Sequence, residues 1–294
     1  MALRHLKCLT FDITGTLVRF EGRLGEHYLR AAKRCGVQFK SENLVALESG
    51  FAKAYAETHD AYPCFGAGVV STKEWWRKCI LRSFEAAREA TGGADGDVPA
   101  LDGDARERVF QRIYALFGSH ATYGVFDDAI PFLTWARRRG VVTGVVSNAD
   151  ERYGDAIMPM LGLSDHVDFA VFARDVHVMK PDPEIFDIAL ARANRAREVL
   201  YDGADAIQAG ELLHVGNSFS KDFAGATAFG AHAVLLDRFG RDGGDDLSPE
   251  GKRWRDRGAP VLCDLLDVLE HAARFDVALG NGPSRPPQGA SIID

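Results

Sequence analysis

LKCLTFDITGTL, at residues 6–17, is a short apolar run that stops abruptly at a carboxylate, a glycine and two threonines. Residues 6–11 form a continuous run of the kind buried on both faces of a parallel sheet. Asp12 then stands at the carboxyl end of that predicted strand, where open α/β sheets bind their ligands. Gly15 lets the backbone turn sharply and lets a ligand approach the amides closely.

Working outward, runs of the same kind recur at 141–146, 167–172, 212–215 and 231–236. Helical patterns lie between most of them. Residues 129–139 follow Asp128, a good N-cap, and stop at Gly140. Residues 183–193 follow Asp182 with proline at the first helical position. Strand–helix alternation of this kind predicts an α/β fold with a doubly wound, Rossmann-like parallel-sheet core. Residues 18–123 break the alternation. Helical composition dominates there, at 29–34, 44–57, 73–90 and 105–117, which predicts a helical insert after the first strand. The expected division is a core of 1–17 and 124–277, an insert of 18–123 and a Gly/Pro/Ser-rich, disordered tail of 278–294. The loop at 91–104 carries Asp95, Asp97, Asp102 and Asp104. Pro99 occupies a position where a calcium loop needs an oxygen ligand and the closing Glu is missing, so the loop reads as solvated surface. Residues 202–210 and 238–260 read as surface excursions.

The 294 residues are 46% hydrophobic and 26% charged, an ordinary globular balance, with a formal net charge of -7. Without a long basic run there is no electrostatic case for nucleic acid or for an anionic membrane surface. Cys8, Cys35, Cys64, Cys79 and Cys263 are scattered, without a CxxC pair, and read as reduced thiols. No apolar stretch approaches a membrane span and the N-terminus has no signal core. The expected location is the cytoplasm.

The chemistry-bearing residues fall at successive strand ends. After Asp12 come Ser147 and Asn148 at the second, Lys180-Pro181 before a helix, and Gly216-Asn217-Ser218 with Asp222 at the fourth. Singly, each has a plain structural reading: Asp12 and Ser147 as turn residues, Lys180 as a solvated lysine, Asp222 as a first-turn acid. Together they bring a nucleophile, a hydroxyl, a cation and an amide–carboxylate pair to one crevice, which favours attack by Asp12 on phosphorus beside a divalent cation. Trp75 and Trp76 read as core or interface residues. His59, His120 and His177 have no metal-ligand spacing. Gly225 and Gly230 do not follow the first strand, which argues against dinucleotide binding.

The order FDxxGTL, SN, KPDPEIF and GNSxxxDxxGA resembles the four signature motifs of the haloacid dehalogenase-like hydrolase superfamily, over roughly two-thirds of the chain. The insert resembles the helical cap of that superfamily's first cap class. Around LKCLTFD, KEWW, KPDP and LHVGN the pattern is most similar to the group of haloacid dehalogenase-like hydrolase domain-containing protein 3. The resemblance implies a phosphatase acting on a small phosphorylated substrate, with Mg²⁺. It makes Asp12 the nucleophile and a metal ligand, and Thr14 a ligand through its carbonyl. Ser147 and the Asn148 amide would bind phosphate oxygens, and Lys180 would bridge phosphate and Asp12. Asn217 would be a metal ligand through its side-chain oxygen, and Asp222 a ligand through water or an anchor behind the ligands.

Two positions depart from the pattern. Phosphatases of the superfamily carry an acid–base Asp two residues after the nucleophile; here it is Thr14, as in the DKTGT motif of P-type ATPases, whose aspartyl phosphate is comparatively long-lived. Asn217 replaces an Asp and removes one negative charge from the metal site. Both point toward reduced or absent phosphatase activity. The same resemblance leaves two alternatives: a metal-independent dehalogenase that attacks carbon, disfavoured by the GNSxxxD spacing, and a catalytically degenerate binding protein.

Overall fold

The computed structural model describes residues 6–93, 96–201, 204–240 and 247–268. The tail at 278–294, residues 269–277 of the expected core and Asp95 lie outside the described residues.

β1 (Cys8–Phe11) is followed by β2 (Val18–Phe20) and by four helices, α1 (Leu24–Arg34), α2 (Leu44–Ala61), α3 (Thr72–Ala90) and α4 (Gly103–Leu116). Then come β3 (Tyr123–Val125), α5 (Ala129–Arg138), β4 (Val142–Ser147), β5 (Phe169–Phe172), α6 (Pro183–Leu200), β6 (Leu212–Gly216), β7 (His232–Leu236), α7 (Pro249–Asp256) and β8 (Val261–Leu262). Shorter helical turns carry no label.

Six strands form one parallel sheet in the order β5-β4-β1-β6-β7-β8. β1 is central, with Phe11 in register with Val145 on one side and Val215 on the other. The chain runs outward from β1 through β4 to β5, then returns to the opposite side of β1 as β6. The carboxyl ends of β1, β4 and β6 therefore flank the reversal point where such sheets open a crevice. Both faces are covered, which is why the strands read as continuous apolar runs. Leu9, Phe11, Val145 and Val215 pack with Phe132 and Leu133 of α5. Cys8, Val142, Val146 and Leu212 pack with Ile185 and Phe186 of α6.

The helices between residues 24 and 116 have a core of their own, built on Tyr28, Leu47, Ile80, Phe84, Phe110 and Ile113. Asn43 and Ser71 cap α2 and α3 by accepting from Ala46 N and Glu74 N. This insert is tied to the sheet by polar bonds. Arg174, just after β5, donates to the carbonyls of Phe65 (3.0 Å) and Val70 (2.9 Å), and Thr72 donates to Glu151 (2.6 Å).

Several boundaries differ from the sequence reading. β2 and β3 form a two-stranded antiparallel ribbon where the insert leaves and rejoins the core; at three residues each, they are too short for periodicity to mark. α6 runs on to Leu200, and α7 lies inside the expected excursion at 238–260, where Ser248 caps a strongly charged sequence. Asp128 stands at the start of α5 but makes no cap bond. Its carboxylate is drawn instead to the Arg238 guanidinium and the Leu265 amide, at 2.5 and 2.7 Å. All five cysteines are free thiols.

Candidate active site

Asp12 follows the last residue of β1 and its amide donates to Val215 O of β6 at 2.9 Å. Its Oδ1 accepts from Ser147 Oγ at 2.9 Å and from Lys180 Nζ at 2.8 Å. Lys180 is buried at 2% exposure and uses all three ammonium hydrogens. The other two go to Val146 O at 2.7 Å and Asp222 Oδ1 at 2.6 Å. Burial opposes its charge, but Asp12 and Asp222 outweigh burial and hold its pKa above the ordinary lysine value.

Asp222 is surrounded by donors. Oδ1 accepts from Lys180 and from His214 Nε2 at 3.1 Å, and Oδ2 accepts the amides of Asn217 (3.0 Å) and Ser218 (2.8 Å). Burial favours the neutral acid, but Lys180 and His214 win and its pKa falls well below the carboxylate range. The buried His214 has a lowered pKa, chiefly from desolvation, and is neutral. Because Nε2 must donate to a carboxylate, its Nδ1 accepts from Thr10 Oγ1 at 3.0 Å. A chain of bonds thus runs from mid-strand Thr10 through His214, Asp222 and Lys180 to Asp12.

Asn148 clamps the lysine's backbone from the other side. Its Nδ2 donates to Lys180 O at 2.8 Å and its Oδ1 accepts Lys180 N at 2.7 Å. The Asn217 side chain lies across Gly15, which adopts φ +81; a Cβ there would stand 2.0 Å from Asn217 Nδ2. Gly216 is equally constrained, since a Cβ would meet Asp222 Cγ at 2.2 Å. All seven residues singled out in the sequence, Asp12, Thr14, Ser147, Asn148, Lys180, Asn217 and Asp222, belong to this one cluster or its immediate edge.

Thr14 Oγ1 is 2.9 Å from the hydroxyl of Tyr153, a residue the sequence reading did not single out. Desolvation pushes that phenol up to about 12. From Thr14 and Asn148 a cavity of about 270 Å³ extends into the insert. Its lining includes Tyr28, Tyr55, Trp76, Tyr114 and Phe117 from the insert and Asp150 and Arg152 from the loop after β4. Asp150 accepts from Trp76 Nε1 at 2.5 Å and from the Arg152 guanidinium at 2.9 Å. Trp75 is core, as expected, whereas Trp76 faces this cavity. His59 packs against Met179 and, like His120 and His177, is not part of the cavity lining.

Candidate metal donors are hard oxygens: the Asp12 carboxylate, the Thr14 carbonyl and the Asn217 side chain. With Asp222 saturated by donors, Asp12 is the one acid of the cluster with a carboxylate oxygen, Oδ2, to which no described residue donates. That set suits Mg²⁺, which takes one or two carboxylates and completes its shell with water and substrate phosphate. Among the described residues no helix is long and apolar enough to cross a membrane.

A family model described as haloacid dehalogenase-like hydrolase matches residues 6–230. Haloacid dehalogenase-like hydrolase domain-containing protein 3 of Mus musculus is 31% identical over 233 residues, covering 79% of this chain and 82% of its own. Phosphoserine phosphatase of Thermus thermophilus is 29% identical over 183 residues, 62% of this chain and 64% of its own. A 2-haloacid dehalogenase from Pseudomonas syringae pv. Tomato shares the fold with a TM-score of 0.54, at 23% identity over 92% of this chain and 99% of its own. Proteins named as a phosphatase and as a dehalogenase thus both resemble this chain, and a shared fold does not fix the reaction. By its matched model and its relatives over most of its length, the chain belongs to the haloacid dehalogenase-like hydrolase family.

Proposed function

We propose that the chain is a phosphoryl-transferring hydrolase whose nucleophile is Asp12, with a slow second half-reaction. The observation that carries this is the setting of Asp12: a carboxylate at the end of the central strand, one oxygen fixed by Ser147 and Lys180, the other without a donor among the described residues. A lysine ammonium at 2.8 Å from the carboxylate orients it and offsets charge gathering on a phosphoryl group during attack. Lys180 acts largely through Asp12, because its three hydrogens are already committed. Phosphate binding would draw the Ser147 Oγ hydrogen away from Asp12 Oδ1, and the Asn148 backbone N–H, just after β4, would donate to a second phosphate oxygen.

Asp222 works as a positioning residue. Its four donors hold Lys180 and the 216–218 turn in place and leave Asn217 as the side chain of that turn turned toward Gly15. Asp12, the Thr14 carbonyl and Asn217 would hold a divalent cation, which supplies charge neutralisation for the bound phosphate. The helical insert, residues 18–123, serves as a cap that shapes the leaving-group pocket.

Thr14 stands where an acid–base carboxylate would work. A hydroxyl pair of Thr14 and Tyr153 can donate hydrogen bonds but cannot take a proton from water near neutrality. Attack on phosphorus is retained for esters whose leaving group needs no proton; hydrolysis of the aspartyl phosphate is handicapped.

The test is phosphate release from acetyl phosphate and 4-nitrophenyl phosphate with Mg²⁺, for wild type and Asp12→Asn. A slow, metal-dependent release lost in Asp12→Asn supports the proposal. Release that survives the substitution contradicts it, and metal-independent halide release from a 2-haloacid would move the electrophile to carbon.

A further inference from the structure

We propose that the leaving group is an aromatic alcohol of one or two rings, so that the substrates are aryl phosphates rather than phosphate esters of sugars, polyols or amino acids. This rests on the reading of Asp12 as phosphoryl acceptor and adds the substrate class.

The first support is the wall chemistry of the cavity that Thr14 and Asn148 help to line. Rings dominate it, among them Tyr28, Tyr55, Trp76, Tyr114 and Phe117. Its charged lining residues are Asp150 and Arg152, and they neutralise each other. Asp150 takes three bonds from the Arg152 guanidinium and one from Trp76 Nε1. The Arg152 guanidinium in turn lies 4.6 Å from the Tyr114 ring and 5.1 Å from the Trp76 ring. Such a wall offers no uncommitted charge to the ammonium and carboxylate of an amino acid. It offers few partners for the hydroxyls of a sugar, which would be buried without compensation.

Size points the same way. An apolar cavity of roughly 150 Å³ accepts benzene; this one, at about 270 Å³, has room for one or two rings. Aromatic walls pair well with an aromatic guest through offset and edge-to-face contacts.

The second support is independent of the cavity and comes from Thr14. Asp12 forms its bond to phosphorus as the phosphorus–oxygen bond of the ester breaks, and the electron pair leaves on the ester oxygen. With no carboxylic acid at residue 14, that oxygen departs as an anion and takes its proton from water afterwards. A phenol, with a pKa of about 10, tolerates this. An aliphatic alcohol, close to water at about 15.7, does not. Water then attacks the aspartyl phosphate, releasing inorganic phosphate and restoring the carboxylate. Loss of the acid at residue 14 therefore costs an aryl ester little in the first step and slows the second step for every substrate.

The experiment uses the full chain with Mg²⁺. Acetyl phosphate, whose leaving group needs neither the cavity nor an acid, labels Asp12 and is read by mass. Phenyl phosphate and 2-naphthyl phosphate are compared with glycerol 3-phosphate and O-phosphoserine in rapid mixing. The aryl esters are expected to give a burst of about one phenol per enzyme, on the order of 10²-fold faster or more than the polar esters phosphorylate it. Because leaving-group quality alone favours the aryl esters, the cavity is tested separately with unreactive ligands. Benzylphosphonate should compete with acetyl phosphate labelling at least about tenfold more tightly than methylphosphonate. Ile113→Trp, which fills the cavity, should shrink that ratio within the same protein. If acetyl phosphate labels Asp12 but the two phosphonates compete equally, or the polar esters match the aryl ones, the substrate class is wrong while the phosphoryl reading stands. If no donor labels Asp12, both fall.

Discussion

Thr14→Asp is the perturbation that isolates the handicap assigned to this site. Thr14 Oγ1 lies 2.9 Å from the Tyr153 hydroxyl, and both residues line the aromatic cavity. An aspartate there would accept that hydroxyl's hydrogen and would project where a departing oxygen or an incoming water must sit. General acid–base assistance is worth about 10²–10⁴-fold, or about 2.7–5.4 kcal/mol of barrier. A second carboxylate two residues from Asp12 and the cost of burying it argue for the lower end, so steady phosphate release should rise about 10²-fold. The assay is rapid mixing with 4-nitrophenyl phosphate and Mg²⁺, followed to steady state. Wild type should give a nitrophenol burst and a slow linear phase; Thr14→Asp should abolish the burst as hydrolysis of the intermediate ceases to limit turnover. If both proteins phosphorylate Asp12 at similar rates and their linear phases coincide, Thr14 is not the bottleneck and the reasoning fails.

Asn217→Asp returns a charge to the candidate metal site without changing its shape. At water's dielectric a unit charge 4 Å away is worth about 1 kcal/mol, hence about 2 kcal/mol for a divalent ion and roughly thirtyfold in Kd. Calorimetric titration of Mg²⁺ into both proteins checks this, and equal affinities would remove Asn217 from the ligand set. Asp222→Asn should be severe, since all four partners of Asp222 are donors and an amide NH₂ would face at least one of them. Breaking such a buried network costs about 3–5 kcal/mol; urea unfolding measures it, and a loss below about 1 kcal/mol would mean that Lys180 is held by other contacts.

The strand ends were legible in the sequence because two independent signals coincide there. Apolar runs such as 6–11 and 212–215 mark buried strands, and Asp12, Ser147 and Asn217 are polar residues where the runs end. Tyr153, Asp150 and Arg152 were not legible. They lie in NADERYGD (148–155), an ordinary polar loop in sequence, and their meaning depends on Trp76 and Tyr114 arriving from the insert. His214 sits in mid-strand and gains its role only because parallel pairing sets Thr10 beside it. The double description of Asp222, ligand or anchor, could be narrowed only once its four donors were visible. Short elements such as β2 and β3 escape any periodicity, and Asp128 passes for a cap until Arg238 reaches it from more than a hundred residues away.

The central claim is a covalent phosphoryl intermediate on Asp12, and acid-quenched trapping followed by peptide mapping tests it most directly. After brief exposure to acetyl phosphate and Mg²⁺, one phosphoryl group should map to the peptide containing Asp12, decay slowly on dilution, and be absent from Asp12→Asn. A wild-type protein that releases phosphate without ever carrying label on that peptide, or a label that maps elsewhere, would contradict the account.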